Sequence, residues 1–345
     1  MGEARISGVS RRDRVKIAVL VAAVLAIPAW IVLPWVHVRL EDFFSGARAQ
    51  LFGQVLVAIL LEAFPFVLIG ATISGLVEVL LPPERLARAI PRRLGWRLLM
   101  AAGAGIVLPV CECGIVPVAR RLIRKGLPVE MAVVFMLAGP IVNPTVVAST
   151  AVAFAGQGLS LEMTVARVVC GVAVAMLVGL GVFKWFGGRS LVPPAQGNAH
   201  GHGAEAGGSV LTNVLTHVVH DFLLLGGYLL LGSLLAAGLQ AFVPRNWLVS
   251  IGKMPVASTA GMMLMAFLLN VCSEADAFLA AAFAQFSFAG RLGFLVFGPM
   301  LDVKLVAMYL GAFPKRMLLA VLVLVPPLVL VVCELAGLVQ AVIAG

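Results

Sequence analysis

The chain has 345 residues, of which 61% are hydrophobic and only 12% charged, with a mean hydropathy of +1.08. These values exclude an ordinary soluble protein and point to an all-α polytopic membrane protein. The formal net charge of +9 sits in short clusters between apolar stretches, so it reports topology and contact with the lipid bilayer, and no nucleic-acid partner is expected.

Residues 1–50 hold an N-terminal tail with Arg5, Arg11, Arg12, Arg14 and Lys16, followed by an apolar stretch from Ile17 to Val36. That stretch is too long for a signal peptide, and Pro28, Trp30, Pro34 and Trp35 replace a small-residue cleavage site. It predicts a first transmembrane helix entering from a cytoplasmic N-terminus, in a multi-pass protein of the cytoplasmic membrane.

Residues 51–186 form the next unit. The run from Leu51 to Leu81 would extend about 46 Å as a straight helix at ~1.5 Å per residue, longer than a ~30 Å hydrocarbon core. It must tilt, kink near Pro65 or project beyond the bilayer, and it carries Glu62 just before that proline. A basic loop with Arg85, Arg88, Arg92, Arg93 and Arg97 follows, then an apolar segment from Leu98 to Ala119, then a second basic cluster of Arg120, Arg121, Arg124 and Lys125. If the segment crossed the membrane, one cluster would break the positive-inside tendency; if it dips in and returns, both are cytoplasmic. Within it lies Pro109-Val110-Cys111-Glu112-Cys113-Gly114-Ile115-Val116-Pro117. Ionisable groups at membrane depth are costly and mark function, and here they coincide with residues that interrupt a helix. Spans over 128–155, containing Gly139-Pro140-Ile141-Val142-Asn143-Pro144, and over 161–186 complete the unit.

Residues 187–209 read as a polar cytoplasmic linker, with His200 and His202 as a metal antenna or simply solvated residues. Residues 210–345 then run through apolar segments 210–243, 256–288, 292–313 and 317–344. The two halves share one plan. Val110-Cys111 matches Val271-Cys272 at a displacement of 161, and Gly139-Pro140-Ile141-Val142-Asn143 matches Gly298-Pro299-Met300-Leu301-Asp302 at 159, as Glu62 does Asp221.

Treating 98–119 and 256–288 as re-entrant hairpins puts 18 of the 25 Lys and Arg inside and 5 outside; letting both cross gives 14 and 9. The re-entrant topology leaves three crossings per repeat, and an odd number inverts one half relative to the other. The expected fold is therefore two inverted structural repeats with broken helices or re-entrant hairpins meeting near the midplane, about seven full spans in all.

In a regular helix Cys111 and Cys113 would point about 200° apart, but irregular backbone removes that restriction. Two thiolates suit Cu(I), Zn(II) or trivalent metalloids, Glu112 can take a displaced proton, and Cys272 can add a third sulfur from the opposing hairpin. The candidate metal ligands are thus Cys111, Cys113 and Cys272, and Glu274 and Asp276 make the second tip acidic. Asn143 and Asp302 are candidates for lining the substrate path, or they satisfy carbonyls freed by nearby prolines. Glu62, Asp221 and Lys304 are candidates for proton or ion coupling, with Lys304 and Asp302 also able to pair. Cys170 and Cys333 read as small core residues.

These residues resemble the predicted permeases that include the ArsP-type organoarsenical efflux proteins. The resemblance rests on Pro109 to Pro117, Gly126-Leu127-Pro128, Gly139 to Pro144, Asn270-Val271-Cys272-Ser273-Glu274-Ala275-Asp276, and Gly298 to Asp302 with Lys304, and it covers about residues 50–315. It implies a cytoplasmic-membrane permease whose Cys-containing motif contacts the substrate in the arsenical members. Glu112 stands where those members carry a small hydroxyl residue, and a charged residue favours a cation over a neutral organoarsenical.

The function expected is a secondary transporter exporting a small thiophilic metal or organometalloid species. The alternatives are a zinc-like cation permease using the acidic residues with the cysteines, and, in another class, a membrane thiol oxidoreductase cycling Cys111 and Cys113. The chain lacks a Cys-x-x-Cys pair, which weighs against the last. It also lacks a Gly-x4-Gly-Lys-Ser/Thr loop, so a gradient or a partner would energise it. No enzyme activity and no cofactor is expected; an accessory membrane subunit or a homo-oligomer is.

Overall fold

A computed structural model describes residues 46–108, 110–186, 210–242 and 255–344. The predicted helix at Ile17–Val36, Pro109, the linker with His200 and His202, and Arg245 and Lys253 lie outside the described residues.

The described residues form thirteen helices and no strand. In the first half these are α1 (Gly46–Leu80), α2 (Pro83–Ala89), α3 (Leu94–Val107), α4 (Glu112–Arg124), α5 (Val129–Val142), α6 (Pro144–Ala155) and α7 (Ser160–Phe186). In the second they are α8 (Val210–Phe242), α9 (Pro255–Leu269), α10 (Asp276–Ala282), α11 (Phe288–Phe297), α12 (Val303–Ala312) and α13 (Lys315–Ala344). Four are long and apolar enough to cross a membrane: α1, α7, α8 and α13. The pair α5–α6, bent by 41° at Asn143, makes a fifth crossing if it is one span. Their exposed side chains include Leu61, Leu80, Leu161, Val169, Leu223 and Leu335, the apolar surface expected of helices facing lipid. The predicted span over 292–313 is not one helix but two ten-residue helices, α11 and α12, separated at 298–302, where Gly298 and Pro299 interrupt the helix.

At 35 residues α1 is about 52 Å long at ~1.5 Å per residue, and it continues through Pro65. The ring leaves the Leu61 carbonyl without its helical donor, an opening that a long helix held by neighbours tolerates.

Helix directions follow from which residues meet. Arg97 at the start of α3 pairs with Glu130 at the start of α5, and a Cβ at Gly105 would overlap the backbone of Gly139, so α3 and α5 run the same way. Helix α4 runs along α1 instead: Gly70 abuts Gly114, and Lys125 donates to the carbonyls of Glu78 and Leu81 at 2.6 and 2.8 Å. Since α4 returns into α5 through a short turn, α3 and α4 are antiparallel limbs with their tip at Leu108–Cys111. Leu108 leaves helical geometry (φ −109°, ψ 87°), as a residue preceding proline does.

The second half has a comparable pair of limbs. Ser258 and Met262 of α9 lie against Gly290, and Ala266 lies against Gly298, so α9 and α11 run together as α3 and α5 do. Its tip is the 270–275 segment, where Asn270 adopts φ 50°, a left-handed geometry that asparagine tolerates better than most residues. Counterpart helices oppose each other. Gly75 of α1 packs on Val214 and Val218 of α8 while Phe64 meets Phe222 with ring centroids 5.8 Å apart. Likewise Gly181 of α7 meets Leu324 of α13, and Glu162 accepts from Gln340.

Candidate functional site

The tips of the two hairpins meet in the interior. Cys111 is the N-cap of α4, so Glu112 is the first residue of that helix, where exposed backbone N–H groups favour a carboxylate. Pro117 removes the donor that would bond the Cys113 carbonyl, so the first turn stays loosely closed. Across the interface, Ser273 Oγ donates to Glu112 Oε2 at 2.9 Å; within the second tip, Cys272 Sγ donates to Glu274 Oε2 at 2.7 Å.

The side-chain ligand atoms of Cys111, Glu112 and Cys272 all lie within 4.8 Å of one another, and all three residues are buried. Cys113 is buried in the same hydrophobic core, but its thiol is not among the three converging ligand groups. Thiolates around one tetrahedral ion stand roughly 3.8 Å apart when metal–sulfur bonds are about 2.3 Å. Gripping a soft ion would therefore need a closure of about 1 Å at most.

Lys304, at the start of α12, sits in the same interior. Its Nζ lies 3.2 Å from Glu112 Oε1 and 3.5 Å from Asp302 Oδ2, and it donates to the Asn270 carbonyl at 3.2 Å. Asn270 is the tie between second tip and α12. Its Oδ1 accepts from the Lys304 backbone N–H at 2.9 Å, while its Nδ2 donates to the Phe267 and Leu268 carbonyls, both at 3.0 Å. Gln240 of α8 adds donors to the Leu268 and Leu269 carbonyls at 3.1 and 2.9 Å. Backbone groups freed where α9 stops in the interior thus have partners.

The other residues singled out from the sequence divide into those near the tips and those away from them. Glu62 of α1 is exposed and stands within electrostatic reach of Cys272, Lys304, Glu112 and Glu274. Asn143 and Asp302, at matching places in the two halves, are both N-caps. Asn143 Oδ1 accepts from the Thr145 N–H at 3.1 Å, and Asp302 Oδ1 from the Leu305 N–H at 2.6 Å, so both cap helix amides and neither of these bonds satisfies a carbonyl freed by a proline. Asp276 points to Arg167 of α7, 2.7 Å away, and Arg167 also donates to Thr150 Oγ1 at 2.8 Å and to the Ser273 carbonyl at 3.2 Å. Asp221 belongs to a separate cluster: Arg121 lies 2.7 Å from it and Ser74 donates to it at 2.8 Å, with Glu78 3.4 Å from Arg121. Cys170 and Cys333 are free and buried, on the facing helices α7 and α13.

Ser273, Asn270 and Arg167 were not candidates from the sequence. Arg167 had a readable signal, a lone cation inside the 27-residue apolar helix α7, which a membrane tolerates only with a buried partner.

The thirteen helices of the described residues, with long apolar helices around an interior that holds thiols, carboxylates and a lysine, define a multi-pass membrane protein with a polar site between broken helices. The profile of the ArsP_1 family, described as predicted permease, matches residues 49–341, and the chain belongs to that family. It is 38% identical over 267 residues to UPF0718 protein YcgR of Bacillus subtilis (strain 168), covering 76% of this chain and 89% of that one. It is 32% identical over 289 residues to a Streptococcus mutans serotype c (strain ATCC 700610 / UA159) protein with the provisional name two-component membrane permease complex subunit, covering 83% and 95%. No solved structure matches the chain. The protein is an integral membrane permease.

Proposed function

We propose that this permease is a secondary transporter that exports a thiophilic metal or metalloid species through the site between the two hairpin tips. The observation that carries the reading is the convergence of Cys111 and Glu112 from one hairpin with Cys272 from the other. Two sulfurs and a carboxylate form a donor set for soft or borderline ions, which bind with loss of the thiol protons. Because each half contributes ligands, a relative movement of the halves would change access to the ion without dismantling either half. Glu62, exposed on α1 yet electrostatically coupled to the tips, is our candidate for coupling transport to an ion gradient.

The topology we assign is two inverted repeats, with both hairpins re-entrant and the N-terminus in the cytoplasm. Support comes from the antiparallel course of α1 against α8 and of α7 against α13. The end bearing Arg85 to Arg97 and Arg120 to Lys125 is assigned to the cytoplasm by its positive charge. The S. mutans relative's name speaks of a two-component complex, and we extend to this chain a second membrane subunit.

A zinc-like divalent cation is the second reading, favoured by Glu274, which accepts the Cys272 thiol at 2.7 Å and brings a further carboxylate to the cluster. Uptake into inverted vesicles across a panel of Zn(II), Cd(II), Cu(I), arsenite and a methylated trivalent arsenical tests both. Transport of at least one species, reduced tenfold or more in Cys111→Ser and Cys272→Ser, is expected. Undiminished transport in the double serine variant would sink the thiolate site, and transport of the divalent ions alone would select the second reading.

A further inference from the structure

Lys304 is a cation built into the place where a cargo cation would bind. It is 2% exposed, and its ammonium is surrounded by Glu112 Oε1 at 3.2 Å, the Asn270 carbonyl at 3.2 Å and Asp302 Oδ2 at 3.5 Å. Glu112 Oε1 has no hydrogen bond of accepted geometry, and Asp302 Oδ2 has none either. The ammonium therefore lies between two incompletely satisfied carboxylate oxygens, one of which belongs to the candidate ligand set. Such an oxygen cannot serve a metal ion and an ammonium together, because a metal at about 2.0–2.2 Å would crowd a second positive charge at close range in a buried, weakly screening setting.

We infer that Lys304 is a tethered counter-cation that occupies Glu112 when the site is empty and moves onto Asp302 when a cargo cation takes Glu112. The inference rests on the proposed cargo site. The ammonium stays charged throughout: only its partner changes, and no proton is moved. The short travel follows from geometry, since Asp302 Oδ2 is already 3.5 Å from Nζ and its other oxygen is fixed by the Leu305 N–H. Asn270 holds the lysine's backbone N–H, so the movement is confined to the side chain. The consequence is selectivity by competition. A monovalent or weakly bound cation cannot displace a tethered ammonium, whereas an ion that also gains two sulfurs can. The empty carrier keeps its buried carboxylate neutralised, which avoids an uncompensated charge at depth.

The test is equilibrium binding of Cd(II) to the purified full-length protein in detergent micelles, read by competition with a chelating indicator. Lys304→Gln should bind Cd(II) at least tenfold more tightly than wild type, and Lys304→Arg should stay within about threefold of wild type. Asp302→Asn keeps a capping oxygen, as Asn143 shows for the matching position, and should weaken binding tenfold or more by removing the second berth. That loss should shrink to threefold or less when Lys304→Gln is also present, a non-additivity that simple removal of a negative charge would not produce. Equal affinity in wild type and Lys304→Gln, or additive effects in the double variant, overturns the inference while leaving the cargo site standing. If neither wild type nor Lys304→Gln binds Cd(II), the cargo site itself fails and the inference falls with it. Should Lys304→Gln not fold, the Asp302→Asn and Lys304→Arg results decide: an unweakened Asp302→Asn overturns it.

Discussion

Ser273 Oγ donates a 2.9 Å hydrogen bond to Glu112 Oε2, and the two residues are 161 positions apart, the displacement that also carries Val110-Cys111 onto Val271-Cys272. Residues at equivalent places in the two halves therefore touch each other. The triplet Cys111-Glu112-Cys113 corresponds to Cys272-Ser273-Glu274, so the same three places hold two thiols and a carboxylate in one half and a thiol, a hydroxyl and a carboxylate in the other.

Because this bond joins a hydroxyl to a carboxylate in a buried setting, Ser273→Ala should cost about 1.5–3 kcal/mol. The thermal midpoint of the solubilised protein should fall accordingly. Glu112→Gln combined with Ser273→Ala should cost less than the sum of the two, since both remove the same contact. Full additivity in thermal unfolding would show that the tips do not lean on each other.

Arg167 and Asp276 form an ion pair at 2.7 Å with side-chain exposures of 1% and 2%. Removing one partner leaves the other charge buried, so Arg167→Met and Asp276→Leu should each cost about 3–5 kcal/mol, and the double variant should recover much of the loss. Unfolding of all three variants in a graded denaturant series checks this. A double variant as unstable as the singles would contradict it.

Asp221 and Glu78 share Arg121 but differ in setting, with side-chain exposures of 3% and 31%. Asp221→Asn should destabilise by about 3–5 kcal/mol because Arg121 loses its closest carboxylate. Glu78→Gln should change stability by about 0–1 kcal/mol, the range for a solvent-screened pair. The comparison needs only the two thermal midpoints; equal losses would mean burial does not set the difference.

The antiparallel limbs α3 and α4 put Arg88 and Arg124 at one end of the molecule, and the α6–α7 turn at Gly156 at the other. Cysteines substituted singly at Arg88 and Arg124 should react with an impermeant maleimide from the same side of the membrane, and a cysteine at Gly156 from the opposite side. All five described native cysteines are buried and compete little for reagent. Labelling of the first two from opposite sides would mean that the segment crosses.

Much of this architecture is legible in the chain because membrane depth penalises polar groups and broken backbone. Pro109, Gly114 and Pro117 announce the first tip, and Asn270 to Asp276 the second through the repeat. The two basic clusters flanking 98–119 mark the returning course of the chain. Pairings were less legible. Arg121 meets Asp221, and Arg167 meets Asp276, across 100 and 109 residues, separations with no spacing signature. Lys304 could be read as pairing with Asp302, but its approach to Glu112 depends on how the two hairpins register. The division of 292–313 into α11 and α12 was also visible in Gly298-Pro299, the counterpart of Gly139-Pro140. Hydropathy alone hides it, because both ten-residue helices are apolar.

The two hairpins are fastened by different means. At Gly70 against Gly114, and at Gly105 against Gly139, backbone meets backbone, and an added Cβ would overlap main-chain atoms. At the matching face of the second half, Gly290 and Gly293 meet the side chains of Ser258 and Thr259, and the tip is held by Asn270, Gln240 and Arg167. At Gly70, Gly105 and Gly114 the facing main chain therefore leaves room for no side chain, whereas a Cβ at Gly139 would meet the end of the Ile115 side chain. Gly70→Ala should cost about 3 kcal/mol or more in thermal unfolding, while Gly103→Ala, which meets nothing within 4 Å, should stay within about 1 kcal/mol of wild type. The second half is written in donors and acceptors, a grammar in which one word can replace another of the same sense. Substitution should therefore be tolerated better at the second hairpin's seat than at Gly70, Gly105 or Gly114.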